Sequence, residues 1–220
     1  ARTLAAATGA KLHIVSHQEN HLEAGVWSAG GPKVDRFLLL HASGGTTDML
    51  LAEKQEDGRF KLTEVGGSID LHAGQFIDRI GVALGLQFPT GPELEKLAAT
   101  ADEAQMVELP VSVRKLNVSL SGPATAAIRK LEAGADEAGL ALGVQYALAE
   151  TFTRMLRNGA AEYKVNAVLL VGGVASNSYI RKHVTEKLAK RRISVWVPEA
   201  RFSCDNASGN AAFAYRMHKK

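Results

Sequence analysis

FLLLHASGGTTDMLLAEKQEDGRFKLTEV, residues 37–65, is the stretch that decides the fold. Phe37–Ala42 is a continuous apolar run of strand length, the pattern of a central strand buried on both faces. Ser43-Gly44-Gly45 turns the chain. Thr47–Glu53 and Arg59–Val65 are two further strands around Glu56-Asp57-Gly58, a hairpin signal. Three strands in succession, joined by short turns, are expected to pair antiparallel.

Working outward, a helical pattern covers Asp70–Leu84, with Phe76, Ile77, Ile80 and Leu84 on one face. Pro89-Thr90-Gly91-Pro92 breaks it. Helices are expected near Glu93–Ala101, Ala124–Leu131 and Gly139–Leu156, with a strand-like piece near Leu116–Leu120. The last third alternates: strand Ala167–Val171, tight turn Gly172-Gly173, helix Asn177–Lys190, strand Ser194–Val197 and helix Asn206–Met217. This is the order of a ribonuclease-H-like α/β unit, two of which make the actin/sugar-kinase fold. Only one is complete here. Upstream, Arg2–Thr8 reads as a helix stopped by Gly9, and Lys11–Ser16 as a short β-rich run. His17–Ala29 reads as a helix opened by a Ser16/Glu19 capping box and ended at Gly30-Gly31-Pro32. The expected organisation is residues 1–33 as the end of a first lobe, then 34–220 as a C-terminal lobe with a helical insertion over about 70–158. A chain that opens inside a helix is expected to be a piece of a longer protein.

Composition sets the class. Of 220 residues, 46% are hydrophobic and 22% charged, which excludes a disordered chain. A net charge of +3 permits an anionic partner without demanding one. The single cysteine, Cys204, excludes a disulfide scaffold and a cysteine-based zinc cage and fits a reducing cytosol. The longest apolar stretches fall far short of the roughly 20 residues that span a bilayer, and ARTLAAATGA at the start has no apolar core of a signal peptide. A cytoplasmic protein without a membrane segment is expected.

Three patterns can carry chemistry. His17 and His21, at i and i+4, share one helix face about 5–6 Å apart, a spacing that suits two ligands of one metal or two exposed polar side chains. Gln18 stands where an H-E-x-x-H peptidase has its glutamate base, so the pair lacks that base. Ser43-Gly44-Gly45 and Gly172-Gly173 each follow a buried strand, and glycines there let backbone N–H groups approach a phosphate; a plain hairpin turn reads equally from the first. Ala175-Ser176-Asn177 opens a helix, whose N-terminus favours anions. Asp205 after the last strand is either part of a helix cap or a third, oxygen ligand; two histidines and a carboxylate suit Fe(II) or Zn(II). Arg181–Arg192 holds six Lys/Arg against one acid, Glu186: a solvated helix face or a phosphate-contacting patch.

Taken together, HQENHLEAG (17–25), SGGTTDMLL (43–51), the run 66–98, LSG (120–122), LLVGGVASNSYIR (169–181) and CDNASGNAA (204–212) resemble the tRNA threonylcarbamoyladenosine transferase family, once described as O-sialoglycoprotein endopeptidases. The resemblance covers nearly the whole chain and implies the two-lobed actin-like fold. It implies that His17, His21 and Asp205 bind one divalent metal, Fe or Zn. It implies that His41, Ala42, Ser43, Gly44, Gly45, Asp78, Gly91 and Asn177 hold a nucleotide-linked donor, threonylcarbamoyl-adenylate, derived from ATP. The acceptor would be adenosine in tRNA, and the partners paralogous and ATPase subunits of a tRNA-modification complex. Three positions depart from the family pattern: Thr46 where S-G-G-H-T has His, Leu71 where an Asp-Asp pair is usual, and Gln75 where Glu follows Gly. A non-catalytic partner subunit of such an enzyme, or another carbamoyl or acyl transferase on this fold, fits the same residues.

Overall fold

The computed structural model describes residues 1–203 and 205–218; Cys204, the single cysteine, lies outside them. Helix α1 (Arg2–Thr8) stops at Gly9, whose φ of 66° is left-handed. Lys11–Ser16, expected as β, pairs with no strand among the described residues. β-propensity is only a fit to a half-buried pleated surface. Here Ile14 stays 65% exposed, and its carbonyl accepts from Arg59 Nη2 at 2.7 Å instead of joining a ladder. Helix α2 (His17–Ala29) opens on the expected capping box: Ser16 Oγ accepts from Glu19 N, and Glu19 Oε2 accepts from Ser16 N at 2.7 Å.

Strands β1 (Arg36–Ala42), β2 (Thr47–Lys54) and β3 (Phe60–Ser68) follow as an antiparallel meander. Helices α3 (Ala73–Ala83) and α4 (Gly91–Ala98) lead to two short strands, β4 (Val113–Arg114) and β5 (Asn117–Val118). Then come α5 (Ser121–Glu132) and the long α6 (Glu137–Tyr163), and the alternation β6 (Ala167–Val171), α7 (Ser178–Ala189), β7 (Ser194–Trp196), α8 (Ala200–Ser203) and α9 (Ser208–His218). The strands form one sheet in the order β4-β5-β3-β2-β1-β6-β7, with β1, β6 and β7 parallel. The expected ribonuclease-H-like order is therefore present. Helix α6 outruns its expected end at Leu156. Asn158-Gly159 would break a helix locally, but Gly159 packs against Met49 and Leu38, where a Cβ would lie 2.9 Å from Met49 Cε. Tertiary packing overrides the local signal.

Alternation along β1 builds two cores. Leu38, Leu40 and Ala42 enter the larger one, roofed by α3, α4, α5, α6 and α7. Phe37 and Leu39 enter the smaller one beneath α2, with Leu22, Leu169 and Val171. Period two puts His41 on that second face, as the next member of the Phe37, Leu39 series.

Helix α3 starts three residues later than expected because Asp70 is used elsewhere. Its carboxylate accepts from Leu71 N at 2.6 Å, Leu120 N at 2.9 Å, Ser119 Oγ at 2.6 Å and Ser121 N at 3.4 Å, fastening the end of β3 to the start of α5. Burial would raise its pKa, but these donors outweigh burial and hold Asp70 at about 2, below the ordinary 3.8. A carboxylate depressed in the folded state contributes stability that is full above about pH 4 and lost as pH falls through its folded pKa. Asp70→Asn is expected to flatten the fall in melting temperature between about pH 4 and pH 2, measured by circular dichroism across a pH series; an unchanged acid limb would remove the carboxylate from that role.

Candidate functional site

β1 and β6 run side by side with His41 opposite Val171, so the turns after them leave one sheet edge together. Ligands of open α/β sheets bind at such carboxyl ends. The first turn is closed by Ser43 N donating to Thr46 O at 2.8 Å, the plain hairpin closure. It is braced from behind by α3, whose Gly74 N donates to Ser43 O at 3.0 Å; a Cβ on Gly74 would lie 2.5 Å from Gly44 Cα. The second turn is fixed by Gly172, at φ 102°, whose N–H donates to Ser203 O at 3.1 Å. A Cβ there would meet Ala42 O at 2.2 Å.

Gly44, Gly45 and Gly91 differ from these. None has a positive φ, and a Cβ on any of them would meet nothing within 4 Å. Neither backbone conformation nor packing demands a glycine at these positions, yet each lines a cavity. One cavity, of about 580 Å³, lies between His17, His21 and Asp205 on one side and Ser43, Gly44 and Gly45 on the other. The next, of about 420 Å³, is lined by Asp78, Gly91 and Asn177 together with Ile77, Pro89 and Val174. Gly44 and Gly173 border both. Both volumes lie in the ordinary range of small-molecule sites. His41 and Ala42 are buried beneath the turn and line neither.

His17, His21 and Asp205 meet. His21 Nε2 lies 2.9 Å from Asp205 Oδ1 and 3.2 Å from His17 Nε2, and His17 Nε2 lies 3.6 Å from Asp205 Oδ1. His21 is 2% exposed, which removes the reading of two solvated histidines. Burial pushes the His21 imidazole down, opposed by its hydrogen bond to Asp205. Burial, and then the neighbouring imidazoles, push His41 down to about 4. His41 is therefore neutral at pH 7, the form in which imidazole binds metal.

The remaining residues are already engaged. Asp78 Oδ1 accepts from Thr90 N at 2.8 Å and Thr90 Oγ1 at 3.1 Å, which fixes the carboxylate and leaves its second oxygen for a ligand. Asn177 Oδ1 caps α7, accepting from Ile180 N at 2.9 Å. Residues 174–176 form a 3-10 turn, and α7 begins only at Ser178. Its first N–H group, Ser178 N, donates to Glu95 Oε1 at 2.8 Å, and Ser178 Oγ donates to the same oxygen. Two N–H groups at this helix end, Ser178 N and Ile180 N, are thus taken by a protein carboxylate and an amide oxygen. Glu95 also lines the second cavity and was not singled out in the sequence. Its partner is 83 residues away, and no local pattern signals it. Of the three departures, Thr46 lines the first cavity, Leu71 packs against the larger core, and Gln75 accepts from His72 N at 3.0 Å.

Gly45→Val is expected to fold with stability within about 0.5 kcal/mol of the parent, as for substitutions that meet no neighbour. Gly172→Ala should instead cost about 1–3 kcal/mol of stability, because the φ and the Ala42 carbonyl both oppose a side chain. Equal melting temperatures for Gly172→Ala and the parent would contradict this geometry.

Comparison with known proteins points the same way. Residues 1–212 match the family model of TsaD, tRNA N6-adenosine threonylcarbamoyltransferase. The chain is 34% identical over 223 residues to the tRNA N6-adenosine threonylcarbamoyltransferase of Thermus thermophilus, covering all of this chain and 65% of that protein. It is 32% identical over 221 residues to a probable bifunctional tRNA threonylcarbamoyladenosine biosynthesis protein of Methanothermobacter thermautotrophicus, covering 98% of this chain and 40% of that one. The chain thus spans between two fifths and just under two thirds of the length of these relatives. Among solved structures, full-length HypF in its phosphate- and nucleotide-bound form superposes over 99% of this chain and 38% of its own, with a TM-score of 0.74 at 12% identity. An activator of 2-hydroxyisocaproyl-CoA dehydratase from Clostridium difficile superposes over 93% of this chain and 68% of its own, with a TM-score of 0.57 at 17% identity. These likenesses establish the actin/sugar-kinase type of α/β fold, and with the match along residues 1–212 the chain belongs to the tRNA N6-adenosine threonylcarbamoyltransferase family.

Proposed function

We propose that the chain carries the donor site of a metal-dependent enzyme that transfers a threonylcarbamoyl group from an adenylate donor to adenosine in tRNA. The observation that carries this reading is the pair of adjoining cavities, in which glycines with no structural need for being glycine face a His17, His21, Asp205 cluster. The more apolar cavity, with Ile77, Pro89 and Val174, suits the adenosine part of the donor, and the Asp78 carboxylate held by Thr90 suits a ribose hydroxyl. The backbone N–H groups of Gly44 and Gly45 suit its phosphate.

The donor set fits a metal by its own chemistry. Converging imidazoles, one of them buried with Nδ1 unpartnered among the described residues, and a carboxylate are ligands of Fe(II) or Zn(II) rather than of Mg(II). His17, His21 and Asp205 would hold it. When bound, such an ion supplies Lewis-acid polarisation and orientation of the donor. The reaction itself forms a bond from the exocyclic nitrogen of adenosine to the carbamoyl carbon and breaks the bond from that carbon to the phosphate oxygen. AMP leaves, and the nitrogen loses a proton. The chain's part is to bind and align: the glycine turns keep the leaving phosphate at the sheet edge, and the open side of the first cavity admits the acceptor.

tRNA is the natural partner for the basic α7, with paralogous and ATPase subunits beside it in the cytoplasm. Among the described residues no helix is long and apolar enough to cross a membrane. The test supplies the chain with threonylcarbamoyl-adenylate, tRNA and Zn(II) or Fe(II), and reads modified adenosine by mass spectrometry of digested tRNA. Modified adenosine that is lost in His21→Ala is expected. Adenylate binding without any transfer would favour the second reading, a non-catalytic partner subunit, to which Thr46 in place of an imidazole at the cavity points. For tRNA, charge reversal at Lys187 and Lys190 should weaken all tRNAs about equally. The log–log salt slope should fall by somewhat under one per lost contact. A flat salt response would leave α7 as ordinary surface.

A further inference from the structure

We propose that the outer face of α6, from the β4–β5 turn across to the end of α7, is a docking surface for the phosphate backbone of an RNA stem, separate from the cavities that take the reacting groups. This rests on the tRNA reading above and extends it from one helix to a surface built by three elements.

Backbone conformation supplies the first observation. Among the described residues, the non-glycine residues with a left-handed φ are Lys115 at 57°, Lys164 at 53° and Arg192 at 60°. A Cβ makes that conformation costly, and glycine is its usual occupant. All three are cations, and all three are exposed. A cation just past the last turn of a helix complements the helix dipole, which accounts for Lys164 after α6 and Arg192 after α7. It does not account for Lys115, which opens the turn between β4 and β5. The three are neighbours in the fold. Asn158 of α6 donates from Nδ2 to Lys115 O at 2.9 Å. Ser194 N donates to Asn166 O at 2.8 Å, two residues beyond Arg192 and Lys164 respectively.

The surface between them is basic as well. Most of α6 is buried. Glu150, Arg154, Arg157 and Ala161 fall at i, i+4, i+7 and i+11 and share the face turned to solvent. Helix α7 flanks that face on one side, where the rings of Tyr146 and His183 meet edge to face at 5.5 Å. The β4–β5 turn flanks it on the other, at Asn158. The one acid in the row, Glu150, is engaged: its Oε1 lies 2.8 Å from His183 Nε2 and 3.8 Å from Lys187 Nζ, and its Oε2 lies 3.5 Å from Arg154 Nε. It holds Arg154 and Lys187 in place while their side chains stay 46% and 47% exposed. Lys115, Arg157, Lys164 and Arg192 form no ion pair among the described residues. These cations face the exposed acids Glu162 and Glu186 alone on α6 and α7.

Position and chemistry select the ligand. Helices α6 and α7 end at the amino-terminal ends of β6 and β7, whereas both cavities lie at the carboxyl ends. The seven residues of β1 span about 20 Å between the two edges. A nucleotide seated in the cavities does not reach that far, but the phosphates of a stem flanking the acceptor nucleotide do. None of the exposed large hydrophobic side chains among the described residues lies on α6, α7 or the β4–β5 turn. The face therefore lacks the aromatic platforms on which unpaired bases stack, and cations alone suit a duplex backbone recognised by shape and charge.

Binding of the full chain is measured by fluorescence anisotropy to two RNAs: a stem-loop with an adenosine in its loop, and the loop sequence alone as a single strand. The parent is expected to prefer the stem-loop. Arg154→Gln combined with Arg157→Gln should weaken stem-loop binding by more than about tenfold at about 0.15 M salt and lower its log–log salt slope by about 1.5, the loss of two phosphate contacts. Lys115→Gly should melt at or above the parent temperature, because glycine is at ease at that φ, and still bind the stem-loop more weakly. A merely structural role for Lys115 does not give that combination. Transfer of the threonylcarbamoyl group to the loop strand should be the same in the parent and the variants. Unchanged stem-loop affinity in the double variant, or equal affinity of the parent for the two RNAs, would overturn the surface and leave transfer to the loop strand, and with it the donor site, standing. A polyglutamate chain of matched charge that binds the parent as tightly as the stem-loop would replace RNA by an acidic protein as the ligand and so refute the proposal. A parent chain that binds neither RNA would remove both this surface and the tRNA reading.

Discussion

The seating of α2 across the carboxyl ends of β1 and β6 is the constraint on which the site depends. At Gly25 a side chain would press on Val171 and Leu169 of the sheet, and with glycine there the ring of His21 lies 4.2 Å, centroid to centroid, from the ring of His41. Helix α9 clamps the same helix from outside. A Cβ on its Gly209 would overlap Asn20 O at 1.9 Å, and Arg216 pairs with the buried Glu23. Since Asp205 lies just ahead of α9, the helix that brings the imidazoles and the loop that brings the carboxylate are parts of one packed unit. Hydrophobic burial of Leu22 against Phe37, Leu39 and Leu169 holds that unit to the sheet.

A second division of labour runs through the glycines. Gly74 and Gly172 are glycine for the fold: one because α3 lies on the backbone of the Gly44 turn, the other because its φ and the Ala42 carbonyl leave no room. Gly44, Gly45 and Gly91 are crowded by nothing inside the chain and line the two cavities. The distinction separates a turn that merely closes a hairpin from one that also presents its backbone, and the Ser43–Thr46 turn does both.

Much of this was legible in residue order. The i, i+4 histidines, the capping box at Ser16 and Glu19, and the apolar run Phe37–Ala42 are local signals with local causes, and they stand where they were read. What was not legible depends on distant partners. Glu95 takes up the end of α7, and Asp70 is drawn away from α3 to the start of α5; neither tie leaves a mark within ten residues of itself. Lys11–Ser16 carries strand-forming residues and finds no neighbour to pair with. His41 is an intermediate case. The resemblance sets it among the donor-binding residues, whereas strand parity, counted from Phe37 and Leu39, already sets it under the histidine helix.

That parity ties chemistry to arithmetic. Along β1 even-numbered residues build the larger core and odd-numbered ones face α2. Inserting or deleting a single residue between Phe37 and His41 would exchange the two sets, turning an imidazole into the oily interior and an aliphatic chain toward the other imidazoles. The strand can exchange one side chain for another of like kind, but it cannot change its length by one. Its reading frame, in the structural sense, is common property of the core and the site, and neither can drift without the other.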